Sequence, residues 1–195
     1  MQVHDPKQAP EPLRNKDFWV FGYGSLIWRP GFDYVERVRA TIHGYHRSLC
    51  VLSHVHRGTP ERPGLVLGLD RGGSCQGVAY RVSNDRRAET LAYLREREQV
   101  TAVYREIEAK LRLIDGRSVM AVAYAVDRTH LQYSGELEPD SVVRLVAQGV
   151  GISGPNPEYI QNTQEHLAQM GIRDRMLERV VRELGAHAAL AQESA

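Results

Sequence analysis

The sequence predicts an α+β fold, with a strongly bent sheet or small barrel flanked by helices. Segments rich in β-branched and aromatic residues, broken by glycine, extend from Phe18 to about Ile114. Helical spacing of apolar residues then dominates from Asp140 onward. Strands first and helices last is an order typical of α+β domains. The 195 residues are 42% hydrophobic and 25% charged, which fits one globular domain.

Short strands are predicted wherever β-branched or aromatic runs are bounded by glycine, proline or polar residues. The first strand is residues 18–21. Asp115-Gly116 lies between two alternating runs and indicates a hairpin, and Gly72-Gly73 is expected to turn the chain in the same way. The other strands are expected at residues 40–46, 49–54, 65–69, 76–82, 104–113 and 118–126.

One helix is predicted among the strands, over residues 85–98. Ser83 or Asn84 is the expected N-cap, since both side chains can accept a hydrogen bond from a free backbone N–H. Ala88 and Leu91 begin an apolar stripe at helical spacing.

Three further helices are predicted in the last third of the chain. Asp140-Ser141 is the expected cap of the first, which ends near Gly149. The second has Asn156 as its cap and Pro157 in its first turn, and Gly171 ends it. The buried stripe of the third is expected at Ile172, Met176, Val180, Val181 and Leu184.

The two chain ends are expected to lie outside the folded domain. Residues 1–16 combine prolines with charge, so they are predicted to be a disordered leader and do not resemble a secretory signal. Residues 17–186 are predicted to form a single domain. The alanine-rich residues 187–195 are expected to be a frayed tail.

Composition disfavours several classes of protein. Lys and Arg number 25 against 24 Asp and Glu, and the two signs are interspersed, which argues against a nucleic-acid or anionic-membrane binder. Cys50 and Cys75 cannot form a disulfide scaffold, and no zinc-type spacing is present, so a cytoplasmic protein is expected. No apolar run approaches the roughly 20 residues of a membrane helix.

The first candidate binding feature is the segment Phe21-Gly22-Tyr23-Gly24-Ser25-Leu26, which directly follows the first strand. Two glycines let the backbone turn sharply and bring several N–H groups close to an anionic guest. The segment is not a dinucleotide or Walker motif. The alternative is a glycine turn without a ligand.

The second candidate is Glu98, at the end of the predicted helix. With Leu91 at 0°, a helical wheel places Leu94 at about 300°, Glu98 at about 340° and Glu96 at about 140°. Glu98 therefore shares the apolar stripe, and Glu96 faces water. A carboxyl group on such a stripe has a raised pKa, which suits a general base near neutral pH. The alternative is a carboxylate that only pairs with an arginine.

Two polar segments complete the set of candidates. His54 and His56 share one face of an extended chain, but two histidines without a third ligand make a weak metal site, so no metal is expected. Arg57, in the same loop, is free to meet an acidic substrate. Tyr159 follows an elaborate helix entry and is a candidate to place its hydroxyl in a pocket.

Taken together, these segments resemble the ChaC family of γ-glutamylcyclotransferases. The matching segments fall in the family's order between Phe18 and Leu184: Trp19 to Trp28, His56-Arg57-Gly58 with Pro63-Gly64, Gly77 to Arg81, Tyr93-Leu94 with Arg97-Glu98, and Gly151 to Tyr159.

The resemblance implies a small mixed β-barrel with helices around it, and a reaction that releases 5-oxoproline from a γ-glutamyl peptide. Glutathione is the family's usual substrate, with Cys-Gly as the second product, and no cofactor is required. The resemblance also implies that the loop Tyr23 to Leu26 holds the γ-glutamyl group and that Glu98 is the catalytic glutamate. Arg57 and Tyr159 are expected to support binding.

The sequence departs from some relatives directly after Glu98. Those relatives continue with Gly-Gly-Tyr, whereas this chain has Gln99-Val100-Thr101-Ala102-Val103-Tyr104, so Tyr104 is the candidate equivalent of that tyrosine. Two other functions therefore stay open. One is a cyclotransferase for a different γ-glutamyl compound. The other is a non-enzymatic binding or regulatory protein associated with cation transport.

Overall fold

A computed structural model describes residues 18–98 and 102–193 of the chain. The leader predicted at residues 1–16 lies outside this range, as do residues 194–195 of the predicted tail, so the leader and the frayed tail stay predictions. The strands are β1 (Phe18–Gly22), β2 (Glu36–Ser53), β3 (Gly64–Val82), β4 (Tyr104–Leu113), β5 (Ser118–Val126), β6 (Val150–Gly151) and β7 (Gly154–Pro155). The helices are α1 (Arg87–Glu98), α2 (Pro139–Gln148), α3 (Asn156–Gln169) and α4 (Arg175–Glu193).

The first five strands form a closed barrel in the order β1-β3-β2-β4-β5. The pairs along this order are antiparallel. The barrel closes where β5 meets β1 in parallel, at Val20 and Val122. The predicted α+β fold, a small mixed β-barrel flanked by helices, is thus confirmed.

Strands β2 and β3 are longer than predicted. The sequence indicated two short strands in each, with a turn at Gly72-Gly73, but both glycines lie inside the continuous β3, with φ of +102° and +68°. The pairing of the two strands is irregular between His43 and Tyr45. Such irregularities bend a strand and increase its twist without ending it, so a glycine pair inside a strand was mistaken for a turn. The hairpin at Asp115-Gly116 is confirmed between β4 and β5.

The helices agree with the predicted segments, but their caps differ. A short 3-10 turn at Asn84–Arg86 leads into α1, and the Ser83 hydroxyl donates to the Asp85 carboxylate without capping a backbone N–H. Glu138 precedes α2, with Pro139 in the first turn, so Asp140 is not its cap. Pro155 precedes α3, and Asn156 is already helical. The residues that precede these helical segments, Ser83, Glu138 and Pro155, make no side-chain capping hydrogen bond.

The apolar stripe predicted for α1 is only partly correct, because Leu94 is buried and Leu91 half-buried but Ala88 is exposed. The stripe predicted for α4 agrees better with the structure. In α4, Val180 and Leu184 are buried, as expected, and Ile172 is buried just before the helix. Leu177 is fully buried, whereas the predicted Met176 is only partly buried. None of the helices in the described part of the chain is both long and apolar enough to cross a membrane.

Candidate active site

A cavity of about 500 Å³ opens beside the end of α1. It gathers side chains from the glycine loop, from the β2–β3 loop, from the start of β4 and from the start of α3. The predicted residues among its walls are Ser25, Arg57, Glu98 and Tyr159, with Tyr104 beside them. Segments far apart in the chain, each singled out for its own chemistry, therefore meet at one cavity.

Glu98 is the last residue of α1, and only 16% of its side chain is exposed. Glu96, two residues earlier, is exposed to solvent. The helical wheel therefore placed the two carboxyl groups on the correct sides. Burial raises the pKa of Glu98, and the neighbouring Arg97 opposes that shift.

Arg97 joins the end of α1 to the glycine loop. Its guanidinium donates to the Ser25 hydroxyl oxygen at 2.8 Å, to the Arg29 carbonyl at 2.6 Å and to the Tyr93 hydroxyl at 2.8 Å. Its Nε lies 3.4 Å from Glu98 Oε1. One cation thus fixes the positions of the loop and of the candidate base relative to each other.

Besides Tyr124, three tyrosines interact electrostatically with the Glu98 carboxyl group: Tyr23, Tyr104 and Tyr159. Burial raises the pKa of Tyr159 to about 12, and burial, with the charge of Glu98 adding to it, raises the pKa values of Tyr23 and Tyr104 as well. All three phenols are therefore neutral near pH 7. They can donate hydrogen bonds but cannot act as bases there.

Two of these hydroxyls are fixed by one residue of β3. The Tyr104 hydroxyl donates to the Leu67 carbonyl at 2.8 Å, and the Leu67 N–H donates to the Tyr159 oxygen at 3.3 Å. The Asn156 amide pairs in the same way with both backbone groups of Leu65. Side chains of α3 and β4 therefore satisfy the backbone of β3 beside the cavity, which holds that wall in place.

The glycine loop presents only part of its predicted set to the cavity. Ser25 lines it, because the chain turns there into a short 3-10 helix at Ser25–Ile27. The other predicted loop residues are buried and do not line it: Phe21, Gly22, Tyr23, Gly24 and Leu26.

Close packing explains the two glycines of this loop. A Cβ on Gly22 would lie 3.0 Å from the Leu26 Cβ, and one on Gly24 would lie 3.4 Å from the Tyr159 hydroxyl. Two buried side chains hold the loop from below. Tyr80 donates to the Leu26 carbonyl at 2.9 Å, and Arg47 donates to the Tyr23 carbonyl at 2.7 Å.

Arg57 lies on the far side of Tyr159 from the loop. Its Nη1 donates to the Pro155 carbonyl at 3.0 Å, and its guanidinium carbon is 5.5 Å from the centre of the Tyr159 ring. His56 Nδ1 lies 3.0 Å from the Ser153 hydroxyl. Within residues 18–98 and 102–193, no group of three or more His, Cys, Asp or Glu side chains is placed to hold a metal ion.

Arg97, Tyr93 and Trp28 also line the cavity, although the sequence assigned them no role. The i, i+4 spacing of Tyr93 and Arg97 on a helix was an available signal that the two side chains touch. Nothing in the sequence indicated that Ser25, 72 positions away, would meet Arg97.

The fold and the site together place the protein in the γ-glutamylcyclotransferase-like class. Its closed mixed barrel has a side cavity at which a glycine loop and a buried carboxyl group meet. A family model described as ChaC-like protein matches residues 18–187. The chain therefore belongs to the ChaC-like family.

Named relatives and solved structures agree with that membership. A glutathione-specific γ-glutamylcyclotransferase of Escherichia coli is 35% identical, over 80% of this chain and 68% of the relative. A human protein named glutathione-specific γ-glutamylcyclotransferase 1 is 32% identical, over 78% and 71% of the two chains. A crystal structure of a γ-glutamyl cyclotransferase specific to glutathione, from yeast, superposes with a TM-score of 0.81 at 26% identity, covering 88% of this chain and 97% of the other.

Proposed function

We propose that this protein is a glutathione-specific γ-glutamylcyclotransferase, which releases 5-oxoproline and Cys-Gly from glutathione. Family membership and the names of the relatives above support the reaction class and the substrate. The observation that carries the proposal is the position of Glu98, a mostly buried carboxyl group on the wall of the cavity beside the glycine loop.

The reaction requires a neutral amine. A free α-amino group has a pKa of about 8, so it is largely protonated near pH 7. Glu98 accepts one proton from this amine, which then attacks the γ-carbonyl carbon of the same glutamyl group. The raised pKa of Glu98 brings its basicity closer to that of the amine and makes the transfer easier.

The proton on Glu98 completes the cycle. A carbon–nitrogen bond forms in the five-membered ring, and the γ-amide bond to the cysteine nitrogen breaks. Glu98 returns its proton to that departing nitrogen, which leaves as the amine of Cys-Gly. No external oxidant, reductant or water is consumed.

Orientation contributes much of the rate, because a flexible γ-glutamyl chain must curl before its amine reaches its own carbonyl. Backbone N–H groups at the start of a helical turn have no partner within that turn and can bind the α-carboxylate at Ser25. The neutral Tyr159 hydroxyl, held by Leu67, is positioned to donate to the substrate. Arg57 supports the peptide end of the substrate.

The direct test is incubation of the purified protein with glutathione, followed by quantification of both products. We expect 5-oxoproline and Cys-Gly in equal amounts. A γ-glutamylamine and a γ-glutamyl amino acid, tested in parallel, would reveal a cyclotransferase of different specificity if either has the higher kcat/KM. A folded protein that binds glutathione and releases no 5-oxoproline would contradict the proposal and favour a binding protein.

A further inference from the structure

Among the residues that the structure describes, two guanidinium groups in the cavity wall have no carboxylate partner. Arg29 and Arg57 both line the cavity, and neither side chain forms an ion pair within the described part of the chain. Other arginines of the protein differ in this respect, for example Arg47 with Asp174 and Arg128 with Asp70. Unpaired cations that face a common cavity are suited to an anionic ligand.

Burying part of the Arg57 guanidinium without a carboxylate partner in the described part of the chain costs free energy. Arg57 is only partly exposed, and burial together with the nearby positive charge of Arg29 lowers the pKa of its guanidinium. Glu158 is the acidic residue that acts in the opposite direction on Arg57, but its side chain is exposed and forms no ion pair with it. A bound carboxylate would offset the cost of burial through charge-assisted hydrogen bonds.

The two arginines flank the place proposed for the γ-glutamyl group. Arg29 follows the glycine loop, and its N–H donates to the Ser25 carbonyl at 2.9 Å. Arg57 packs on the ring of Tyr159, whose hydroxyl end lies against Gly24. Both guanidinium groups therefore border the cavity that would receive the peptide end of a substrate whose glutamyl end occupies the loop.

We infer that Arg29 and Arg57 form a subsite for the distal carboxylate of the substrate, so that the cavity selects γ-glutamyl peptides with a free C-terminus. This inference rests on the proposed function and adds the basis of its specificity. A γ-glutamylamine has no such carboxylate. In a γ-glutamyl amino acid the carboxylate lies one residue closer to the scissile bond.

The test compares glutathione with its C-terminal amide, which removes the charge and preserves the γ-glutamyl group. For the wild type we expect a kcat/KM for glutathione that is roughly tenfold to a hundredfold higher, as for the loss of one charge-assisted contact. Arg57→Gln and Arg29→Gln are each expected to bring that ratio towards one. Arg29 is exposed, so its variant remains informative if Arg57→Gln does not fold.

The matched control is Arg144→Gln, an exposed arginine on α2 away from the cavity, which should keep the wild-type ratio. Equal kcat/KM for acid and amide in the wild type would overturn the subsite while leaving the cyclotransferase reaction intact. An undiminished ratio in both variants would overturn it as well. If the folded wild type converts neither compound, the proposed function itself fails, and the subsite with it.

Discussion

Two features of its surroundings shift the pKa of the Glu98 carboxyl group in opposite directions. Burial among tyrosines favours the neutral acid, whereas the adjacent Arg97 favours the carboxylate. Phenols from other elements also interact with its charge: Tyr23 of the loop, Tyr104 of β4, Tyr124 of β5 and Tyr159 of α3. Burial therefore raises the basicity of Glu98 while Arg97 limits that rise, which suits a group that accepts a proton and later returns it.

Arg97→Met should move the acidic limb of the pH profile of kcat/KM to higher pH. Glu98 must be deprotonated to act, so activity is lost as pH falls through its pKa, and removing the cation raises that pKa further. The variant also frees Ser25, so we expect kcat/KM at neutral pH to fall by roughly a hundredfold. Arg97→Lys, which keeps the charge, should shift the limb less. An unchanged limb in Arg97→Met would contradict this account.

The two residues show what the sequence could and could not predict at this scale. The burial of Glu98 follows from local helical periodicity, which the helical wheel represents correctly. The contact from Arg97 to Ser25 spans 72 positions and depends on how the barrel closes. Local periodicity carries no information about contacts between residues so far apart in the sequence.

At the scale of elements, the loop between β2 and β3 is held in place because its backbone packs directly against two glycines. A Cβ on Gly149 would lie 2.4 Å from the Arg57 carbonyl oxygen, and one on Gly64 would lie 2.1 Å from the same atom. Both glycines allow the chain to approach the loop that carries Arg57. This region of the cavity wall therefore tolerates no added methyl group without a backbone shift.

Gly149→Ala should lower the free energy of unfolding by about 1–3 kcal/mol, because the added methyl overpacks a contact with backbone. The measurement is urea unfolding. Gly185→Ala is the matched control, since this glycine lies in α4 with nothing within 4 Å of the added carbon. Higher helix propensity should make that variant more stable by about 0.5–1 kcal/mol. Equal effects of the two substitutions would contradict the packing argument.

The boundaries of an element were predicted well where specific turn residues end it, and poorly where a strand bends without ending. The hairpin at Asp115-Gly116 is encoded by its own turn residues. Gly72 and Gly73 have the same composition as a turn, yet their neighbours continue pairing with β2 on both sides. Whether a glycine pair turns or bends a strand is decided by the partner strand, which local composition does not reveal.

Across the whole molecule, one buried ion pair connects the last helix to the glycine loop. Arg47 donates to Asp174 at 2.7 Å and also to the Tyr23 carbonyl, with 5% and 14% of the two side chains exposed. Asp174 also accepts the N–H of Leu177 at 3.1 Å, at the start of α4. The position of α4 and that of the loop are thus coupled through β2.

Asp174→Ala should lower the free energy of unfolding by about 3–5 kcal/mol, because it leaves Arg47 buried without its partner. Asp115→Ala provides the comparison, since its ion pair with Arg117 is exposed to solvent and should contribute far less to stability. Denaturant unfolding of both variants measures the difference. Similar small losses in the two would show that the buried pair does not couple the elements.

The most direct test of Glu98 as the general base is the rate of 5-oxoproline release from glutathione by Glu98→Gln beside Glu96→Gln. Both substitutions remove one carboxylate from the same helix, but only Glu98 lines the cavity. We expect Glu98→Gln to keep its fold and lose roughly 10²–10⁴-fold in kcat, and Glu96→Gln to retain wild-type turnover. Wild-type turnover by a folded Glu98→Gln would contradict the account.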